Sequence, residues 1–126
     1  MPRSVAGVPS RALSELIESV TVDAHGTDEQ LTAFLFAFCE EVRVPCAATV
    51  PDLPVEIVRS DIEGDERWGL VARCGREAKR AGVALLADVR VEPGTTAAWL
   101  HAAYRSRLGP APFSVRHPVG WSWSER

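Results

Sequence analysis

Residues 27–45 read TDEQLTAFLFAFCEEVRVP, and this stretch decides the fold class because it predicts a long buried helix with defined ends. Thr27 is a candidate N-cap, and Gln30 three residues later would complete a capping box. Val44-Pro45 predicts the end of the helix, since a residue before proline is pushed out of the helical region. One apolar stripe is formed by Leu31, Phe34, Leu35, Phe38 and Val42. Other apolar residues surround the stripe, so we expect this helix to be the central element of the core.

Two further helices are predicted on either side of this stretch. Residues 11–20 carry apolar residues at a spacing of three and four, which is typical of a helix with one buried face. A third helix is predicted from Thr95 or Thr96, either of which can cap it, to Leu108. The chain therefore has helices at both ends of a central region.

In residues 46–92 the apolar period changes to two, which predicts strands. Candidate strands are 46–50, 54–59, 67–74 and 82–92, with a short fifth at 113–116. They are separated by a turn at 51–52, an acidic loop at 60–66 and a loop at 75–81. The alternation predicts an antiparallel meander with one buried face. An α+β fold follows, with a small antiparallel sheet that curls into a partly open barrel with flanking helices; a flat two-layer sandwich is the alternative.

Length and composition predict one domain. The chain has 126 residues, of which 46% are hydrophobic, and we expect a core at about residues 10–109 and a tail at 110–126. No apolar stretch approaches the roughly 20 residues of a membrane span, and the N-terminus does not read as a signal peptide, so we expect a cytoplasmic protein. Cys39, Cys46 and Cys74 match neither a disulfide framework nor a zinc site, and we expect them to be buried.

Charge is unevenly distributed along the chain. The net charge is −3, but residues 1–66 carry 13 acidic and 4 basic residues, whereas residues 67–126 carry 4 acidic and 10 basic residues. The two parts thus carry −9 and +6. An overall negative charge argues against binding to nucleic acid or to an anionic membrane, so only a local basic patch would support either.

The order of motifs resembles the small bacterial calcium-binding proteins of the cyanobacterial calcium-sequestering type. The resemblance covers about residues 18–108, and its most specific stretch, V-D-A-x-G-x-x-E-Q, occupies residues 22–30. It implies an SH3-like barrel preceded by a helix, with calcium bound by clustered carboxylates. This chain departs from the pattern in two places: it has fewer acidic residues between the second and third strands, and it lacks the aromatic run after Gln30.

The acidic loop is the sharpest chemical feature. Its four carboxylates within six residues belong to Asp61, Glu63, Asp65 and Glu66. Calcium takes six to eight oxygen ligands, which a flexible acidic turn can supply. The EF-hand pattern is excluded, because its sixth and twelfth positions hold Glu66 and Ala72 instead of glycine and glutamate. A solvated acidic turn is the alternative interpretation.

With the resemblance, we predict a weak calcium site at this loop. The four carboxylates of the loop would be ligands, and Asp23 or Asp52 would contribute from elsewhere in the chain. In this interpretation the calcium ion is the protein's cofactor or ligand.

An alternative function uses the basic half of the chain. Arg76, Lys79 and Arg80 crowd one predicted hairpin loop, and Trp121 and Trp123 lie on one side of an extended tail. These residues would bind a protein partner or nucleic acid, although the net charge opposes nucleic acid. For the tail we prefer packing onto the domain over exposure to a partner.

Catalytic motifs are absent from the sequence. His25, His101 and His117 lie in different segments, and no metalloprotease, nucleophile-elbow or phosphate-loop pattern occurs. His101, Tyr104 and Arg105 share helical spacing, and we expect His101 to be a polar partner at the edge of the third helix. We therefore expect a protein that is not an enzyme.

Overall fold

The computed structural model describes residues 11–50, 53–62, 69–76, 79–108, 113 and 115–123. The helices are α1 (Arg11–Val20), α2 (Thr27–Glu41) and α3 (Thr96–Leu108). The strands are β1 (Cys46–Thr49), β2 (Pro54–Ile62), β3 (Leu70–Arg76), β4 (Lys79–Leu85) and β5 (Arg90–Val91). The described helices include none that is both long and apolar enough to cross a bilayer.

The five strands form one sheet in the order β4-β3-β2-β1-β5, and every neighbouring pair is antiparallel. The first four strands are the predicted meander. β5 returns to the far side of β1, where Val91 pairs with Ala48. The two ends of the sheet, β4 and β5, are therefore different edges, and the sheet does not close. The predicted α+β class is confirmed.

The predicted fourth strand, residues 82–92, is wrong as a single element. The chain leaves β4 after Leu85, makes a 3₁₀ turn at Leu86–Asp88 and only then enters β5. Leu86 and Val89 are both fully buried, and the N–H of Val89 donates to the carbonyl of Leu86 at 3.2 Å. A 3₁₀ turn places residues three apart on one side. The turn thus buries two apolar residues that alternation had placed on opposite faces.

Several predicted boundaries also shift. β2 extends to Ile62, so that Ser60 and Asp61 pair with β3 instead of lying in a loop. β3 and β4 continue to Arg76 and Lys79, which pair with each other, so the predicted loop at 75–81 is mostly a hairpin. In both places backbone pairing extends through polar residues, because the ladder hydrogen bonds do not depend on side-chain polarity.

The predicted strand at 113–116 is absent, since the described residues there, Phe113, Val115 and Arg116, lie in no strand. The Phe113 ring instead stacks on the His101 ring, with centroids 5.8 Å apart. The guanidinium of Arg105 lies 3.9 Å from the centroid of the same ring. Side-chain stacking on α3 therefore takes the place of backbone pairing in this part of the tail.

The N-termini of α2 and α3 are capped in different ways. Thr27 is the first residue of α2, and Gly26 is its N-cap in an extended conformation, so the predicted capping box does not form. The N–H of Gln30 donates to the carbonyl of Gly26 at 2.9 Å. At α3 the predicted cap is confirmed, because Thr95 Oγ1 accepts from the N–H of Ala98 at 3.1 Å.

The core is centred on α3 and not on α2 as predicted. Every residue of α3 from Ala97 to Arg105 is buried, whereas Phe36 and Cys39 of α2 are exposed. Four alanines are among the buried residues of α3: Ala97, Ala98, Ala102 and Ala103. Their small side chains let neighbouring elements approach the helix closely from several sides. The helix is therefore buried although it carries few large apolar side chains.

The three cysteines occupy different environments. Cys74 is buried, Cys46 is half-buried and Cys39 is exposed, so the expectation of burial is wrong for Cys39. Burial raises the pKa of the Cys46 and Cys74 thiols. Both therefore favour the protonated form at neutral pH.

Tyr104 joins three elements of the core. Its ring makes edge-to-face contacts with Phe34 and Phe38 of α2, with centroids 5.7 and 6.5 Å away. Its hydroxyl oxygen accepts a hydrogen bond of 2.8 Å from the buried N–H of Leu70 in β3. The residue before this N–H, Gly69, has a φ of +69° and lies against the Tyr104 hydroxyl where a Cβ would clash. Backbone and tyrosine are fitted closely together here.

We expect the substitution Tyr104→Phe to lower the free energy of unfolding by about 1–3 kcal/mol, because the N–H of Leu70 remains buried without its acceptor. Urea unfolding monitored by circular dichroism measures the change. Val119→Ala, at a fully exposed position, should leave the unfolding midpoint unchanged. An unchanged midpoint for Tyr104→Phe would contradict a structural role for this hydrogen bond.

Candidate functional site

Asp61 is the one predicted loop ligand within the described residues. It pairs with Val71 near the end of the ladder between β2 and β3. Its Oδ1 accepts from the N–H of Ile62 at 2.9 Å. Its Oδ2 accepts from Arg59 Nη2 at 2.9 Å and from Arg73 Nε at 3.4 Å. Both carboxylate oxygens are thus already engaged, and two guanidinium groups face the position that a cation would take.

The electrostatics of Asp61 follow from these contacts. The backbone N–H of Ile62 contributes most to lowering the pKa of this carboxyl, and the charges of Arg59 and Arg73 lower it further. The group is therefore ionised at neutral pH. A cation that binds here must displace or share the arginine contacts, which weakens its binding.

The other predicted metal ligands are placed as follows. Glu63, Asp65 and Glu66, together with Asp52, lie outside the described residues. Asp23 is exposed just after α1, where it lines a groove between α1 and α2. Within residues 11–50, 53–62, 69–76, 79–108 and 115–123 no three acidic, histidine or cysteine side chains are grouped so that they could hold one metal ion.

The groove between α1 and α2 is a feature that sequence reasoning missed. It encloses about 910 Å³ and is lined by carboxylates from both helices and from the turn that joins them. The carboxylates are those of Glu15, Glu18, Asp23, Asp28, Glu29 and Glu40. A signal was present, because Asp28, Thr32, Phe36 and Glu40 follow one another at a spacing of four and share one side of α2. The sequence predicts a helix that is apolar nearly all round, and the exposed Phe36 departs from that prediction.

The residues of the alternative function are only partly described. Arg76 ends β3 and Lys79 begins β4, with Arg80 next to it, so all three lie at one end of the β3–β4 hairpin. Trp121 and Trp123 are half-buried and pack against the core, as the packing interpretation predicts. The indole N–H of Trp121 also donates to Glu41 Oε1 at 2.9 Å. The tail is therefore held against α2.

Several basic side chains of the second half have partners within the domain. Arg107 Nε donates to Gln30 Oε1 at 3.1 Å, and Arg116 donates to the carbonyl of Pro93 at 3.3 Å. Arg105 donates to the carbonyl of Ala87. Together with Arg73, which contacts Asp61, these residues make contacts within the domain, and Arg107 and Arg116 do so at exposed positions.

Comparison with solved structures identifies a neighbour for this arrangement. The crystal structure of Anabaena CcbP superposes on the chain with a TM-score of 0.65 and covers 86% of this chain and 100% of that one, at 14% identity. The two proteins are similar in fold. No family model matches the chain, and no curated protein sequence matches it. The resemblance to the cyanobacterial type is thus confirmed in the fold, over most of the chain.

A second, smaller cavity of about 260 Å³ lies between α2, β2 and α3, and His101 is its buried polar residue. The imidazole is 3% exposed, and its Nε2–H donates to the carbonyl of Leu86 at 2.7 Å. Burial lowers the pKa of His101 from 6.5 to about 4, and the charge of Arg105 acts in the same direction. His101 is therefore neutral, and it is a polar partner of the Leu86 carbonyl within the core.

This lowered pKa predicts a pH-dependent stability. Below pH 6.5 the unfolded chain binds a proton at His101 that the folded protein does not bind, so stability falls as the pH decreases towards about 4. Between about pH 7.5 and about pH 5 the loss from this residue should be about 2 kcal/mol. Urea unfolding at the two pH values measures it.

His101→Gln keeps a donor for Leu86 and should reduce this loss, whereas His25→Gln, at an exposed position, should not. An equal loss in wild type and His101→Gln would show that other groups cause the pH dependence.

Proposed function

We propose that this protein is a non-enzymatic, cytoplasmic calcium-binding domain whose acidic turn at residues 61–66 binds the ion weakly. The proposal is carried by the resemblance of the motif order to small bacterial calcium-binding proteins, together with the similarity in fold to Anabaena CcbP over the whole length of that chain. On this proposal the open five-stranded sheet is a partly open barrel of the SH3-like kind. The acidic residues begin within β2 at Asp61, next to the last residue of that strand, and the other three follow β2 in the sequence.

The chemistry of the turn supports calcium over a transition metal. Its potential ligands are all carboxylate oxygens, which hard cations such as calcium prefer, and the turn contains neither histidine nor cysteine. The Gly64 between the acidic residues permits a tight bend around an ion. Asp23 or Asp52 would complete the oxygen set from another segment.

Weak binding is part of the proposal, and the contacts of Asp61 give the reason. Calcium must compete with Arg59 and Arg73 for the same carboxylate oxygen, Oδ2. Dissociation constants of about 10⁻⁴–10⁻³ M lie at the weak end of protein calcium sites, whose affinity depends on the charge of the ligands and the rigidity of the site. Such a site responds to large changes in calcium concentration and buffers the ion without sequestering it tightly.

Calcium titration tests the site. At a calcium concentration ten times the dissociation constant, ligand linkage predicts about 1.4 kcal/mol of additional stability, or an increase of about 5 °C in melting temperature. Isothermal titration should give binding heat in the submillimolar to millimolar range. The variant with alanine at Asp61, Glu63, Asp65 and Glu66 should lose both signals.

A matched control carries alanine at four acidic residues away from the turn, namely Glu15, Glu18, Glu56 and Glu92, and thus has the same change in net charge. It should retain calcium binding. Absence of heat and of a thermal shift in the wild type would refute calcium binding, and equal losses in both variants would refute the assignment to the turn.

The role of Asp61 itself is tested by replacing Arg59, which competes with calcium for the Asp61 carboxylate. Arg59→Gln should strengthen calcium binding by about threefold to tenfold, because Asp61 Oδ2 no longer contacts a guanidinium group at 2.9 Å. Arg43→Gln, at an exposed position, removes the same charge elsewhere and serves as the control. Equal affinities of these two variants would mean that Asp61 does not bind the ion.

A further inference from the structure

The groove between α1 and α2 combines negative charge with exposed apolar surface. Phe36 is 61% exposed and Val22 is 69% exposed, and both line the groove together with half-buried Trp123. Large exposed apolar side chains in a concave surface are typical of a docking site. The groove therefore offers both apolar and negatively charged side chains.

The charge of the groove is one-sided. Glu18, Asp23, Asp28 and Glu29 make no ion pair with any residue that the structure describes, and Glu15 pairs only with the exposed Arg11 at 3.6 Å. Among the described residues that line the groove there is no lysine, arginine or histidine. This surface therefore attracts positive charge.

A single metal ion does not explain this arrangement. The carboxylates are spread along two helices and are not grouped in threes around a common point. The side of α2 that lines the groove extends from Asp28 to Glu40, a distance of about 18 Å at 1.5 Å per residue. An extended partner with several cationic groups fits this spacing, whereas one calcium ion would contact only a small part of it.

We propose that the groove between α1 and α2 binds a basic amphipathic helix of a partner protein, with lysine or arginine facing the carboxylates that line the groove and an apolar side chain against Phe36. A segment of about 12 residues matches the 18 Å length. Docking would add a third helix beside two exposed helix faces, which is the helix-in-groove mode of recognition. This proposal does not rest on residues 61–66, and the residue that it shares with the proposed calcium site is Asp23.

The test uses the full chain and a fluorescein-labelled synthetic peptide of about 14 residues, with leucine at a helical spacing of three and four and lysine elsewhere. Fluorescence anisotropy at about 0.15 M salt should show saturable binding to the protein. A peptide with glutamate in place of lysine should not bind. Failure of the lysine peptide to bind up to about millimolar protein would overturn the proposal.

Two pairs of variants locate the binding. The double variant Glu18→Gln/Asp23→Asn should weaken peptide binding about fivefold to twentyfold. The double variant Glu56→Gln/Glu92→Gln has the same change in charge outside the groove and should weaken peptide binding less than about twofold. Glu18 lies in the last turn of α1, where a negative charge is unfavourable, so its removal does not endanger the helix. Phe36→Ser should weaken binding about fivefold or more, and Val119→Ser should not.

Other outcomes would give the groove to a different occupant. Equal weakening by both charge variants would show that the peptide binds by non-specific electrostatic attraction, and would refute the site. Sedimentation showing a dimer of the protein alone that Phe36→Ser dissociates would assign the groove to a second copy of this chain, and the proposal of a basic partner would then be wrong.

Discussion

Three polar side chains on one buried helix hold the domain together. His101 and Arg105 of α3 donate to the carbonyls of Leu86 and Ala87 in the 3₁₀ turn, and Tyr104 accepts from the N–H of Leu70 in β3. Burying a polar side chain without a hydrogen-bond partner is destabilising, and all three of these side chains have one. Each of these groups has a backbone partner in the segment from β3 to β5. These hydrogen bonds fix both the rotation of α3 about its own axis and its position along that axis relative to the sheet.

This constraint also explains the connection between β4 and β5. The carbonyls that α3 requires are exposed to it because the chain leaves the ladder at Leu86 and makes a 3₁₀ turn. A continuous strand would have used backbone groups of this segment for pairing. The turn also redirects the chain so that β5 reaches β1 on the opposite edge. The open, five-stranded sheet and the burial of α3 are therefore two results of the same contacts.

The fold distributes the two kinds of charge in different ways. Arginine and acidic side chains meet at the end of β2, where Asp61 lies between Arg59 and Arg73. The groove between α1 and α2 is lined by carboxylates, and the described lining residues include no basic side chain. The first arrangement lowers the affinity for a cation but keeps Asp61 ionised. The second creates a negative surface that suits a larger cationic partner, so the excess acid in the first half of the chain has two separate consequences.

The sequence by itself determined the three helices, the antiparallel meander and the Thr95 cap, because helical spacing, alternation and capping are properties of neighbouring residues. It also indicated where acidic residues are dense. Only the tertiary structure decided that α3 and not α2 is central, that Phe36 faces a groove, and that Asp61 contacts two arginines. These features depend on contacts between residues far apart in the chain, which periodicity does not encode: the face that a helix buries is decided by the elements packed against it.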